Sequence, residues 1–294
     1  MRKVEWGIGN GKARRHKGGS AQGHELGIGN QGETGQLKQF NKVADVYSKY
    51  RPLYPEAFYA KLLQLNGGRR FPRAVDVGCG SGQSSYGLLS IADSVIGVEP
   101  GETLRQHATE RFPSISFKEG SGESTGMEDA SLDLVSVATA FYWMEMQRAL
   151  LEFFRILKPA GILAIYRYGF PHLDSRANEV AMRHMNEYWD YHRDSVLKES
   201  DPSHDAVKSS NLFVESGCEV LENRVPMAVE DYVGFLSSTS YVSKYMETLD
   251  APSSYTDRLI QEIVDMEGTR VIEANFDISL VWAIKPDLRG RFPG

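Results

Sequence analysis

Ala74-Val75-Asp76-Val77-Gly78-Cys79-Gly80-Ser81-Gly82-Gln83 is the stretch that decides how this chain is read. A run rich in β-branched residues ends in three alternate glycines, and Ser84-Ser85-Tyr86-Gly87-Leu88-Leu89 then reads as a helix. Strand, tight turn and helix in that order form the ligand-binding corner of an open α/β sheet. There a ligand sits beyond the carboxyl end of the first strand.

The alternation continues downstream. Val95-Ile96-Gly97-Val98 reads as a second strand ending at Glu99-Pro100, and Thr103 to Phe112 as a helix. Residues 114–118 form a short third strand and Leu132 to Ala138 a fourth. Leu150, Leu151, Phe154, Ile156 and Leu157 give Arg148 to Leu157 a helical spacing. Lys158-Pro159-Ala160-Gly161 should stop that helix, with a cation in the last turn followed by proline and glycine. Ile162 to Tyr166 is a fifth strand. Strands and helices alternating at this spacing imply βαβ units, hence an α/β fold with a mostly parallel sheet.

After Tyr168 the alternation breaks. A helix is expected around 177–189, a return to the sheet at 213–221, helices over 229–248 and 253–267, and a final strand at 278–284. An interruption of about 170–270 beside an α/β core of 70–168 reads as a helical cap that covers or selects a ligand. The final strand, within 277–285, closes the sheet.

Upstream, Lys42 to Tyr50 reads as a short helix ended by Arg51-Pro52, because the residue before proline disfavours helix. A second helix runs from Glu56 to Leu65, after Pro55. Tyr47, Tyr50, Arg51 and Tyr54 make an aromatic and cationic cluster just ahead of the sheet. It either covers the sheet edge or closes over a ligand. Residues 1–36 hold ten of the 28 glycines, repeat Gly-Ile-Gly-Asn at 7–10 and 27–30, and carry six Lys/Arg against three Glu. So little apolar material reads as a disordered arm. Residues 37–294 are the folded domain.

The composition is that of a globular protein, 41% apolar and 24% charged with a net charge of −6. The acidic balance argues against a body built to grip nucleic acid, although Lys12, Arg14, Arg15 and Lys17 could make the arm a basic contact. With only Cys79 and Cys218, no disulfide framework or zinc pattern is expected, and no metal site. A reducing compartment fits. No run approaches the roughly 18 apolar residues of a membrane span. The cytoplasm is the expected location, with the nucleus still open.

Three ligand classes compete for the glycine loop. A phosphate-binding loop needs a lysine after its last glycine, and Gln83 follows Gly82. A dinucleotide fingerprint needs glycine at its sixth position. Counting from Gly78 that position is Gln83, and from Gly80 it is Ser85. The third class is carried by a resemblance. Asp76-Val77-Gly78-Cys79-Gly80-Ser81-Gly82 resembles motif I of the class I S-adenosylmethionine-dependent methyltransferases. Arg155-Ile156-Leu157-Lys158-Pro159-Ala160-Gly161 is similar to that family's turn before the fifth strand, with Ala160 in place of a glycine. Ala44-x-x-Tyr47-x-x-x-Arg51-Pro52-x-Tyr54-Pro55 resembles, more narrowly, the trans-aconitate methyltransferase-like group.

The resemblance implies a Rossmann-like, seven-stranded sheet with helices on both faces, S-adenosylmethionine as cofactor, and a small-molecule methyl acceptor. It places the cofactor on Tyr47, Arg51, Asp76, Gly78, Gly80, Gly82, Glu99, Gly122, Glu123 and Ala138. Asp76 would hold the ammonium group, directly or through water, and Glu99 the ribose hydroxyls. Tyr142 and Trp143, past the fourth strand, would position the reacting groups. Here the chain departs from the group, with Tyr142 at a histidine position and Thr239 at a tryptophan position. Arg167 and His172, just past the fifth strand, are candidates to place an acceptor carboxylate. His184, Tyr188 and His192, four residues apart in turn, could share a helical face on the acceptor pocket or simply pack. A nucleic-acid or protein methyltransferase guided by the arm, and a regulatory protein that binds the cofactor without turnover, stay open. The accepting atom and the oligomeric state are not legible.

Overall fold

The computed structural model describes residues 49–198 and 201–287. The expectations for residues 1–36, for a helix over 42–48 and for Tyr47 fall outside the described residues. Helix α1 (Glu56–Leu65) leads into β1 (Ala74–Val77), α2 (Gln83–Leu88), β2 (Val95–Val98), α3 (Glu102–Arg111), β3 (Ser116–Lys118) and β4 (Leu132–Ala138). Next come α4 (Met146–Ile156) and β5 (Leu157–Tyr168). The sheet is completed by β7 (Glu215–Leu221) and β10 (Ile278–Ile284). Its seven strands run in the order β3-β2-β1-β4-β5-β10-β7. The first five are parallel, and β10 is antiparallel to both β5 and β7. The expected Rossmann-like, mostly parallel, seven-stranded fold is therefore present. Strand order reverses between β1 and β4, the switch point where such sheets open a crevice.

Side-chain alternation assigns the two faces. Val75, Val77, Val135, Val137, Leu163 and Ile165 pack with Leu150 and Phe153 of α4 and with Val207 of α7 (Ser203–Ser210). Ala74, Leu134, Ile162, Ala164 and Tyr166 point the other way, onto Phe58 and Leu62 of α1 and Leu88 of α2. Both faces are covered, so every residue of β1 is buried.

A third apolar cluster belongs to the cap. It gathers Trp189, α8 (Val229–Ser237), α9 (Ser240–Met246), α10 (Pro252–Glu267) and a three-stranded antiparallel sheet. That sheet, β6 (His172–Leu173), β9 (Val271–Asn275) and β8 (Arg224–Ala228), departs from the expectation of a purely helical cap. So does the break of residues 229–248 into two helices at Ser238 and Thr239. The helix expected at 177–189 is α5 (Asn178–His184) followed by one π-turn, Met185–Trp189. A short helix, α6 (Ser195–Lys198), follows.

The turn before β5 differs too. The chain passes from α4 straight into the strand, and Ala160 sits within it at φ 62°. That is glycine's territory, at a cost of roughly 1 kcal/mol for a residue with a Cβ.

Candidate active site

The loop after β1 folds back on the sheet through its backbone. The N–H groups of Gly78 and Cys79 both donate to the carbonyl of Val98, at 2.8 and 3.1 Å. Gly78, Gly80 and Gly82 all have positive φ, and Gly82 opens α2. Glu99, at the end of β2, is 5% exposed and its carboxylate spans the corner. One oxygen accepts the N–H of Gly80 at 2.9 Å and the other the N–H of Gly101 at 2.8 Å. Burial pushes its carboxyl up, and those backbone donors hold it down.

Beyond the loop lies a cavity of about 910 Å³, open between the carboxyl ends of the strands and the cap. That size suits a small molecule. Arg51, Gly78, Gly80, Glu99, Gly122, Glu123, Ala138, Tyr142, Trp143, Arg167 and His172 all line it. The structure thus brings eleven of the expected residues, from six separate stretches, to one cavity. Two of its glycines are there for space. A Cβ on Gly78 would come within 2.6 Å of the Ala140 Cβ, and one on Gly122 would collide with the Met144 sulfur.

Two of the expected cofactor residues, Asp76 and Gly82, are not among those lining the cavity. Asp76 is fully buried and points to the α1/α2 face, because its neighbours Val75 and Val77 take the other one. Its carboxylate accepts hydrogen bonds from Ser84 (2.5 Å), Ser85 (2.7 Å) and Ser136 (3.2 Å). With the Ser136 proton committed to Asp76, the Tyr166 hydroxyl donates to Ser136 at 2.9 Å. Burial pushes the Asp76 carboxyl up to about 6, with the three serines opposing. Asp76 therefore ties α2 to the sheet beneath the loop. Gly82 likewise shapes the turn without facing the cavity. Glu123 does line it, but its carboxylate accepts the Glu145 N–H at 2.7 Å, fixing the start of α4.

The segment before α1 closes one side. Gln83 donates to the Arg51 carbonyl at 2.8 Å, and the Arg51 guanidinium lies 4.4 Å over the Phe235 ring of the cap. The Tyr54 hydroxyl is 3.2 Å from that of Thr139. Thr139, just past β4, has φ 54°, a strained setting for a β-branched residue at the mouth of a site.

Met182, Met185, Arg193, Leu197 and Lys198 of the cap line the cavity and were not singled out by sequence reading, whereas Thr239, already noted as a departure from the group, lines it with Ser238, Ser240 and Tyr241. His-Arg-Asp-Ser-Val-Leu-Lys at 192–198 offered only scattered charge. Arg167 is held by Asp201 at 2.8 Å and lies 5.3 Å over the Tyr142 ring. Arg193 and Lys198 are both held by Asp190, at 2.9 and 3.2 Å. His184, Tyr188 and His192 do not line this cavity. His184 turns to Tyr255 (2.6 Å) and Glu262 (3.3 Å), while Tyr188 stacks on Tyr245.

Among the described residues no group of His, Cys, Asp and Glu is placed to hold a metal. None of the described helices is long and apolar enough to cross a membrane.

Comparison with known proteins shows what the chain is similar to. A methyltransferase domain family model matches residues 75–165, from β1 to within β5. A putative methyltransferase of Dictyostelium discoideum is 23% identical over 254 residues, covering 84% of this chain and 95% of that protein. An uncharacterized methyltransferase of Schizosaccharomyces pombe is 30% identical over 124 residues, 42% of this chain and 49% of that one. The crystal structure of a putative type II methyltransferase from Anaeromyxobacter dehalogenans superposes with a TM-score of 0.68 at 25% identity, covering 81% of this chain and 99% of that one.

Proposed function

This chain is an S-adenosylmethionine-dependent methyltransferase of the class I fold, and we propose that its acceptor is a small molecule bearing an acidic group. The observation that carries the proposal is the charge of the cavity wall. Arg51, Arg167, Arg193 and Lys198 line it against two carboxylates, Glu99 and Glu123, both on the loop side.

The loop side suits the cofactor. Gly78 and Gly122 let the loops pack closely on Ala140 and Met144 where a Cβ would collide, and Gly78, Gly80 and Gly122 line the cavity. Backbone donors use two of the roughly four acceptor positions of the Glu99 carboxylate, so it can still accept from a pair of hydroxyls. In our reading Glu99 holds the ribose, the Gly78–Gly80 loop and Ala138 hold the methionine end with Arg51, and Gly122 admits the adenine. When bound, S-adenosylmethionine supplies a methyl group on a cationic sulfur, which is already an activated leaving group.

What the protein adds is placement. Holding two reactants in line supplies about 7–11 kcal/mol in good cases. Tyr142 and Trp143 offer aromatic faces to a cation. A carboxylate acceptor is already a nucleophile and needs no base. It needs cations that point it, and the wall provides Arg167, Arg193 and Lys198, each pre-oriented by an aspartate that lies outside the cavity. His172 stands at the same wall.

Release of S-adenosylhomocysteine from a panel of small carboxylic acids, set against their amides, tests this reading. Turnover only on nucleic acid or protein, lost on deleting residues 1–36, would replace it.

A further inference from the structure

The outer edge of the main sheet has no role in methyl transfer. Strand β7 pairs with β10 on one side, and among the described residues no strand pairs with the other. At seven residues it is a long edge, whereas the opposite edge, β3, has three. An unpaired edge of that length is a template for another strand unless something blunts it. One face of β7 and the residue before it carries Val214 (63% exposed), Cys218 and Val220 (66% exposed) at alternate positions. The edge charges are Glu215 and Glu219, and Glu219 is drawn onto Lys61 of α1 at 2.9 Å.

We propose that β7 is a self-pairing edge, joining two copies of this chain antiparallel about a two-fold axis through Cys218. The register follows from parity and charge. Outward backbone groups belong to every second residue, so identical strands pair only residues of matching parity. Centred on Gly217, Glu215 would face Glu219; centred on Glu219, that residue would face itself. Like charges directly opposite are destabilising. Centred on Cys218, all seven residues of Glu215–Leu221 pair. Glu219 then faces Gly217, and Glu215 faces Leu221. Val220 and Cys218 of both copies meet on one face, covering apolar side chains that are otherwise exposed. The two Cys218 residues are direct partners. Cα separations across an antiparallel pair are about 4.5–5.5 Å, inside the range of about 4.4–6.8 Å that a disulfide spans.

The test uses the full chain in reducing buffer. Light scattering at tens of micromolar should give twice the 32.9 kDa chain mass. Diamide, which takes up the two hydrogens of two thiols, should then link the dimer through Cys218, since Cys79 is buried. Cys218→Ser should lose the cross-link and keep the dimer. Cys218→Glu should give a folded monomer with an unchanged circular-dichroism spectrum and S-adenosylmethionine affinity, and mixing it with Cys218→Lys should restore a dimer. A monomeric wild-type chain overturns the proposal. So does a dimer that survives Cys218→Glu, or one that diamide does not link.

Discussion

The Glu99 carboxylate accepts the N–H of Gly80 at 2.9 Å, so the acid that ends β2 holds the loop that ends β1. Its other oxygen takes the N–H of Gly101, at the start of α3. One side chain thereby fixes both walls of the cofactor side.

Glu99→Ala should remove that brace together with the proposed ribose contact. A buried hydrogen bond to a charged group contributes about 1.5–3 kcal/mol. The affinity for S-adenosylmethionine should therefore fall roughly 10- to 100-fold by isothermal titration. Glu99→Gln keeps one acceptor and should fall between.

Gly122→Ala should weaken cofactor binding by overpacking, at about 1–3 kcal/mol, because its Cβ meets the Met144 sulfur. Met144 is flexible, so Gly122→Ala with Met144→Ala should regain most of the loss. Gly78→Ala should not be rescued that way, since φ 70° strains it whatever its neighbours do. Titration of the three variants separates lack of space from backbone strain.

Asp76 gives stability a pH signature. Its carboxyl is pushed by burial from the ordinary aspartate range to about 6. A raised carboxyl favours the folded state at low pH. Its contribution is complete below about pH 4 and is lost as pH rises through 6, by about 3 kcal/mol for a shift near two units. Urea unfolding should show wild type losing up to that much relative to Asp76→Asn between pH 4 and pH 7. A difference that does not change with pH would contradict the burial account.

The same residue shows where sequence stops being informative. Motif and alternation place β1, β2, β4, β10 and α1 closely, because each of these strands is a mostly apolar run of four to seven residues and Pro55 marks the start of α1. They also gather Glu99, Gly122, Tyr142 and Arg167 around one cavity. The direction of Asp76 depends on which face of β1 its register serves, and only packing on α1 and α2 decides that. The serines at 84, 85 and 136 are the signal for it: three hydroxyls that converge on one buried acid. The cap sheet is hidden for a different reason. Its strands lie far apart in the chain, and Pro226 argues against a strand except at an edge, which is where β8 lies. Half of the cationic wall comes from the cap, where Arg193 and Lys198 carry no local motif.

Arg167→Gln separates acceptor from cofactor. It leaves the loop untouched and removes a cation that Asp201 aims. The KM for an acidic acceptor should rise at least about tenfold, with S-adenosylmethionine affinity unchanged. An equal loss of cofactor affinity would place Arg167 on the wrong side of the reaction.

The most direct measurement is S-adenosylhomocysteine release by the purified full chain, run on small carboxylic acids beside their matched primary amides. The cationic wall predicts turnover of at least one acid, none of its amide, and loss of that turnover in Arg167→Gln and Lys198→Gln. Turnover of amides, amines or polymers with no acid accepted would contradict it.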